Sequence, residues 1–253
     1  MTVTAPAGDP WRDDDLPFQR TLVFAPHPDD ESIGAGGLLA YVASRDAEVR
    51  VVFLTSGENN PWPQRVAWRR WRITESERHD WGRTRRGEAR HALLDLGVAP
   101  QNATFLGYPD DGLARMDERE LVDSIGAIIT EFRPTLMVVP SSDDLHPDHR
   151  AAYRAIMKAL VGVSVRPLLT LTYVVHGNLK SSECRSVATT NEDRARKARA
   201  IRRHGTQLML SRRRLLRYAA REEQFGVVRD FECGRESPAA TLIAKLRHVL
   251  SLF

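Results

Sequence analysis

The chain is poor in cysteine and lysine, and no apolar run is long. Its two cysteines, Cys184 and Cys233, lie far apart without metal-ligand spacing, which excludes a disulfide scaffold. They fit a reducing compartment, although one bridge would use both. No stretch approaches the roughly 18–20 apolar residues of a membrane span. The first 19 residues are polar and acidic, with Asp13, Asp14 and Asp15, and lack the basic-then-apolar order of a signal peptide. A cytoplasmic protein is expected. Only four of the 37 basic residues are lysine, so the positive charge is almost all guanidinium.

The 253 residues, 42% hydrophobic and 28% charged, suffice for one large domain with a sizeable core. Disordered and collagen-like chains are excluded. The net charge is +4, but residues 194–217 carry ten basic residues and no acid, which leaves the remainder at −6. That asymmetry raises the alternative of a basic Rossmann-like phosphate- or nucleic-acid-binding protein, with Arg212, Arg213 and Arg214 meeting phosphates. Against it, no nucleic-acid motif accompanies the patch and the one aromatic nearby is Tyr218. The glycines Gly34, Gly36 and Gly37 do not form GxGxxG, and two aspartates before them would repel a pyrophosphate.

Residues 1–18 read as an N-terminal arm, residues 19–190 as a catalytic core, and residues 191–253 as a basic helical region of the same domain. Short apolar runs at Thr21–Ala25, Arg50–Leu54, Ala103–Leu106, Thr135–Pro140 and Leu168–Val175 read as strands. Helices are expected at Gly34–Ser44, Arg119–Phe132 and Arg150–Leu160, and over Gln64–Leu96 with a turn near Trp81-Gly82. Further helices are expected at Glu192–Leu210, Arg212–Phe225 and Ala239–Leu252. This alternation predicts an α/β, Rossmann-like, doubly wound and mostly parallel sheet with helices on both faces. Ligands in such sheets bind beyond the carboxyl ends of the strands, where the winding reverses.

Two loops after strands carry chemistry. Pro26-His27-Pro28-Asp29-Asp30-Glu31 places an imidazole and a carboxylate three residues apart in a tight turn, so both reach one ion and Asp29 is free for another task. His146-Pro147-Asp148-His149 places two imidazoles three apart, with Asp148 available as an acceptor for an imidazole N–H. Either loop alone also reads as a helix cap. With strand order 3-2-1-4-5, the two loops would share one crevice. Three protein ligands and an open position would suit catalytic zinc, with amide hydrolysis as the chemistry.

The run Ala25-Pro26-His27-Pro28-Asp29-Asp30-Glu31 with the later HPDH resembles the LmbE-like, or PIG-L, family of zinc-dependent N-acetylglucosamine-type deacetylases. Arg85-Arg86-Gly87-Glu88-Ala89, Tyr108-Pro109-Asp110 and Lys197–Gln207 are similar to its further motifs, with Asp111 displacing the expected glycine to Gly112 and Thr206 in a serine place. The resemblance spans about Thr21–Phe225. It implies that His27, Asp30 and His149 hold Zn²⁺, for which Fe²⁺ or Co²⁺ could substitute. It casts Asp29 as general base, and His146, oriented by Asp148, as the imidazolium that stabilises an oxyanion and protonates the amine. Arg85 or Arg86, and Asp110, would contact the sugar, although a solvated helix face and a plain turn account for them equally well. The implied partner is a small amino-sugar or glycoconjugate substrate; nucleic acid is not expected, and a homo-oligomer is compatible with the sequence. Glu31 reads as a structural group bonding the loop backbone, and His204 as a solvated residue of a basic helix. His79, His91, His176 and His248 carry no partner pattern. Trp62, Trp68 and Trp71 either pack their helix or border the pocket.

Overall fold

A computed structural model describes residues 16–181, 183–220 and 222–228. The expected 239–252 helix, Cys233, His248 and nearly all of the N-terminal arm lie outside them. Five apolar runs form parallel strands: β1 (Arg20–Ala25), β2 (Glu48–Thr55), β3 (Ala103–Tyr108), β4 (Leu136–Pro140) and β5 (Leu169–Tyr173). They stand in the order β3-β2-β1-β4-β5, so the winding reverses between β1 and β4. Two short strands extend the sheet, β7 (Phe225–Val227) antiparallel to β5 and β6 (Cys184–Arg185) antiparallel to β7. At two and three residues, neither has a period that a sequence pattern can register.

The strands are apolar throughout because both faces are covered. Val23, Val51, Phe53 and Val138 face one core with Leu38, Leu93 and Ile201, from α1 (Asp30–Ala43), α3 (Glu75–Leu96) and α6 (Asn191–Arg203). Leu22, Phe24, Val52 and Met137 face the other, with Ile125 and Ile156 from α4 (Glu118–Phe132) and α5 (Pro147–Gly162).

Several boundaries differ from the sequence reading. α1 begins at Asp30, inside the first histidine loop, and α5 begins at Pro147, which makes His146 its N-cap. Trp81-Gly82 lies inside α3. The interruption falls earlier, between α2 (Pro61–Trp68) and α3, where Arg69 turns left-handed at φ 51° and a Thr74–Glu77 capping box starts α3. Gly82 marks a close approach rather than a turn: a Cβ there would come within 3.1 Å of Ser56 Cβ. The basic region breaks at His204, between α6 and α7 (Gly205–Ala220), and Ser211 is a kink within α7. Phe225 belongs to a strand, not to that helix.

The basic region is stitched into the core. Ala35 leaves helical geometry (φ −140°), and the backbone N–H groups of Gly37 and Leu38 beyond it donate to the Glu223 carboxylate. Buried Lys197 pairs with Glu223 at 2.8 Å. Arg203 pairs with Asp95, and Arg196 and Arg199 with Glu192. Four of the ten basic residues of the patch are thus paired within the fold. Among the described residues no helix is long and apolar enough to cross a membrane.

Candidate metal centre

The loops after β1 to β5 surround a cavity of about 380 Å³ whose wall includes His27, Asp29, Asp30, Asp110, His146 and His176. Both histidine loops meet here because β1 and β4 are adjacent. One oxygen, Asp30 Oδ2, lies at the centre. It is 3.1 Å from His27 Nδ1 and 3.1 Å from His149 Nε2, and it accepts the His27 backbone N–H at 2.8 Å. Donor atoms of one tetrahedral zinc, each about 2.0–2.1 Å from the ion, stand about 3.3 Å apart. His146 completes an imidazole trio, its ring centroid 4.8 Å from that of His27 and 5.3 Å from that of His149.

The donor set fits a dication on a second ground. His149 is fully buried, and its two nitrogens lie 3.1 Å from Asp30 Oδ2 and 3.0 Å from Asp144 Oδ2. Neither nitrogen closes a well-aligned hydrogen bond. Asp30, Asp110, Asp144 and Asp148 are all buried, and Arg85 is the one buried arginine among the described residues. Buried carboxylates in such excess need positive charge, and the histidines supply it here. Burial alone would lower the His27 pKa, but Asp110, Asp148 and Asp30 together raise it well above the usual imidazole value. His149 is pushed up to about 9, because Asp30 and Asp144 outweigh its burial. Burial would raise Asp30, yet His149 and His27 hold it well below the carboxylate range. A divalent ion would replace those protons.

Asp29 stands apart chemically. Its backbone sits at φ 140°, a strained conformation of the kind that collects at functional sites. Burial raises its pKa to about 6, with the Arg85 charge opposing. Arg85 Nη2 donates to Asp29 Oδ1 at 2.9 Å and to the Pro28 carbonyl at 2.6 Å, while Nη1 donates to the Gly57 carbonyl at 2.8 Å. Arg85 is therefore the buried support of the Pro28-Asp29 turn. Arg86 bonds Ser56 Oγ, away from the cavity wall.

One side chain differs from its expected setting, and one alternative reading falls away. The Asp148 carboxylate is turned from His146: it accepts the Leu113 N–H at 3.1 Å and lies 3.4 Å from His27 Nε2. Instead the Asp148 backbone N–H donates to His146 Nδ1 at 3.2 Å. His146 is thereby held as a neutral ring with its proton on Nε2, and burial and the neighbouring His27 and His149 lower its pKa. Asp110 is no free turn residue. It accepts the Asn59 N–H at 2.7 Å, lies 3.1 Å from His27 Nε2, and is held below the usual carboxylate pKa by His27 despite its burial.

His204 is buried, not solvated. Its Nε2 lies 3.1 Å from Glu31 Oε1 and from Ser32 Oγ, and Glu31 Oε2 accepts the Asp29 N–H at 2.9 Å. Glu31 thus bonds the loop backbone as the sequence reading expected. Sequence reasoning missed Asp144 and His176. Asp144 Oδ2 faces His149 and accepts the Val175 and His176 N–H groups, while Oδ1 accepts that of His146. Nothing distinguishes it from Asp143 in the sequence. His176 follows β5, so the strand-end rule already pointed to it; its donor atom groups with those of Asp30 and His149.

The chain matches the PIG-L, GlcNAc-PI de-N-acetylase, family over residues 22–160. It is 36% identical over 148 residues to a 1D-myo-inositol 2-acetamido-2-deoxy-alpha-D-glucopyranoside deacetylase of Mycolicibacterium paratuberculosis, covering 51% of this chain and 47% of that protein. The chain thus spans about half the length of the curated relatives it matches. Similar solved folds include the N,N'-diacetylchitobiose deacetylase of Pyrococcus horikoshii (TM-score 0.63, 21% identity, 83% of this chain and 84% of that one). They also include the 4-carboxy-2-hydroxymuconate hydratase GalB of Pseudomonas putida KT2440 (TM-score 0.61, 18% identity, 84% and 98%). A hydratase among them means that the fold alone does not fix the reaction. The histidine loops, the shared crevice they occupy and the match over residues 22–160 agree: this chain belongs to the PIG-L family.

Proposed function

We propose that the protein is a metal-dependent hydrolase that removes an N-acyl group, acetyl in the first instance, from an amino-sugar-containing substrate. The observation that carries this is the convergence of His27 and His149 on Asp30 Oδ2, beside a buried base with a pKa of about 6. His27, Asp30 and His149 would hold the ion, zinc by the chemistry of the donor set. Such an ion polarises the amide carbonyl and makes water acidic enough to react near neutral pH.

The chain's own groups do the rest. Asp29 accepts the proton of the attacking water, and the Arg85 bond to Oδ1 leaves Oδ2 as the accepting oxygen. His146 offers Nε2–H to the acyl oxygen as negative charge develops there. The family resemblance also makes His146 the proton donor to the leaving amine, a role that requires the ring to gain a proton and release the Asp148 N–H. Asp110, through its bonds to Asn59 and its contact with His27, shapes the sugar side of the cavity. Arg85 acts through Asp29.

Supporting this reading, the inositol relative and the chitobiose neighbour are both named as deacetylases of N-acetylated sugars. The test is release of free amine from N-acetylglucosamine conjugates by protein loaded with metal. Activity that appears with the ion and disappears on chelation is expected. A loaded protein that binds its ion and releases no amine from any N-acyl sugar would overturn it. His146→Gln keeps a hydrogen-bond donor but transfers no proton, so it separates the two His146 roles: partial rate remains if only the oxyanion is served.

A further inference from the structure

Two acid-free stretches of the chain meet at the cavity mouth. Residues 61–72 hold three of the five tryptophans and four arginines; residues 194–217 hold the patch of ten basic residues. Asn59, Asn60 and Pro61 at the start of α2 line the cavity, and so do Gln207, Arg214 and Leu215 of α7. α2 packs against α7. The mouth is therefore framed by both.

The framing surface is apolar where a water-facing surface is normally polar. Trp62 is 56% exposed and Trp71 is 74% exposed, and Val66, Met209 and Leu210 are exposed as well. The two indoles stand edge to face with centroids 6.2 Å apart, and the Arg65 guanidinium lies 4.8 Å from each centroid. Arg65 Nε also donates to the Trp71 carbonyl at 3.0 Å. The two large rings are thus held outward by a cation, not collapsed onto the core. In the same two segments Arg69, Arg72, Arg212 and Arg213 make no ion pair among the described residues and are exposed.

We propose that this rim docks on an anionic lipid bilayer and presents the cavity to the membrane surface. Indoles favour the boundary between headgroups and acyl chains, aliphatic side chains enter it, and arginines attract anionic headgroups. A second copy of this chain is a poorer occupant, because a symmetric contact would set arginines against arginines. Single-stranded nucleic acid would use the indoles and arginines but would leave Val66, Met209 and Leu210 facing water. The proposal stands apart from the hydrolase reading, since docking needs neither metal nor turnover.

The test uses the full chain and sedimentation with vesicles of phosphatidylcholine alone or mixed equally with phosphatidylglycerol. Binding to the mixed vesicles only, weakened by salt and accompanied by a blue shift of tryptophan emission, is expected. Trp62→Ser with Trp71→Ser should abolish the blue shift. Arg212→Gln with Arg213→Gln should weaken binding about twenty-five-fold, at roughly fivefold per arginine near the surface. All four side chains are exposed, so the variants should keep the wild-type Tm and metal content. No binding to anionic vesicles would overturn the proposal. So would loss of vesicle binding to competing single-stranded DNA at equal charge, or a concentration-dependent dimer that buries both indoles.

Discussion

The Glu31→Gln variant probes the contacts that hold Asp29, the proposed base. The Glu31 carboxylate is fully buried; it accepts from the Asp29 backbone N–H and from Ser32 Oγ, and it faces His204 Nε2. Burial would lower the His204 pKa, but the facing Glu31 carboxylate raises it above the ordinary imidazole value. A backbone as unusual as that of Asp29 costs about 1–3 kcal/mol, and a hydrogen bond to a charged acceptor contributes about 1.5–3 kcal/mol. The bond and the strain are of similar size, so weakening the bond loosens the strained Asp29 backbone, while the Arg85 bonds to Asp29 and Pro28 remain. Gln keeps the volume of Glu but brings one acceptor oxygen where two were used. The expected result is a fall in kcat of about tenfold to a hundredfold, at 1.36 kcal/mol per tenfold, with KM and bound metal nearly unchanged. Steady-state kinetics with elemental analysis reads both. Full kcat in Glu31→Gln would refute the reasoning, and loss of metal in step with activity would move Glu31 from the base to the ion.

Three more outcomes follow from the geometry. Asp144→Asn removes the charge that faces His149 and ties the β4 and β5 loops together, so metal affinity measured by chelator competition should fall about 10- to 100-fold. In Gly34→Ala the new Cβ would lie 2.2 Å from Tyr173 Cδ2, and that ring is fixed by its hydroxyl bond to the Phe24 carbonyl. The overpacking should cost about 1–3 kcal/mol, seen as a lower Tm. Arg85→Met removes the charge that lowers the Asp29 pKa, so the base protonates at higher pH than in the wild type and the acid limb of the pH–rate profile should move upward. An unmoved limb would mean that Asp29 is not the titrating group.

The sheet was legible because parallel strands covered on both faces leave continuous apolar runs, as at Thr21–Ala25 and Thr135–Pro140. Strand order then brought His27 and His149 together across 122 positions of sequence. What pattern could not show was which way a side chain turns. The Asp148 carboxylate turns toward His27, where it accepts the Leu113 N–H, while its own backbone N–H caps α5 through His146. Asp144 became the partner of His149 because the β4 loop folds back on the chain leaving β5, a contact no local spacing encodes. His204 looked like one more polar residue in a basic helix; its burial arises because the break between α6 and α7 falls on it, directly over Glu31.

Metal content of paired histidine variants tests the central claim most directly. Purified wild-type protein, His149→Ala and His146→Ala would be equilibrated with zinc, dialysed and measured by elemental analysis. The account predicts stoichiometric metal in the wild type and in His146→Ala, and none in His149→Ala, whose Nε2 faces the oxygen shared with His27. Equal metal in both variants would contradict the assigned ligand set, and no metal in the wild type would contradict the centre itself.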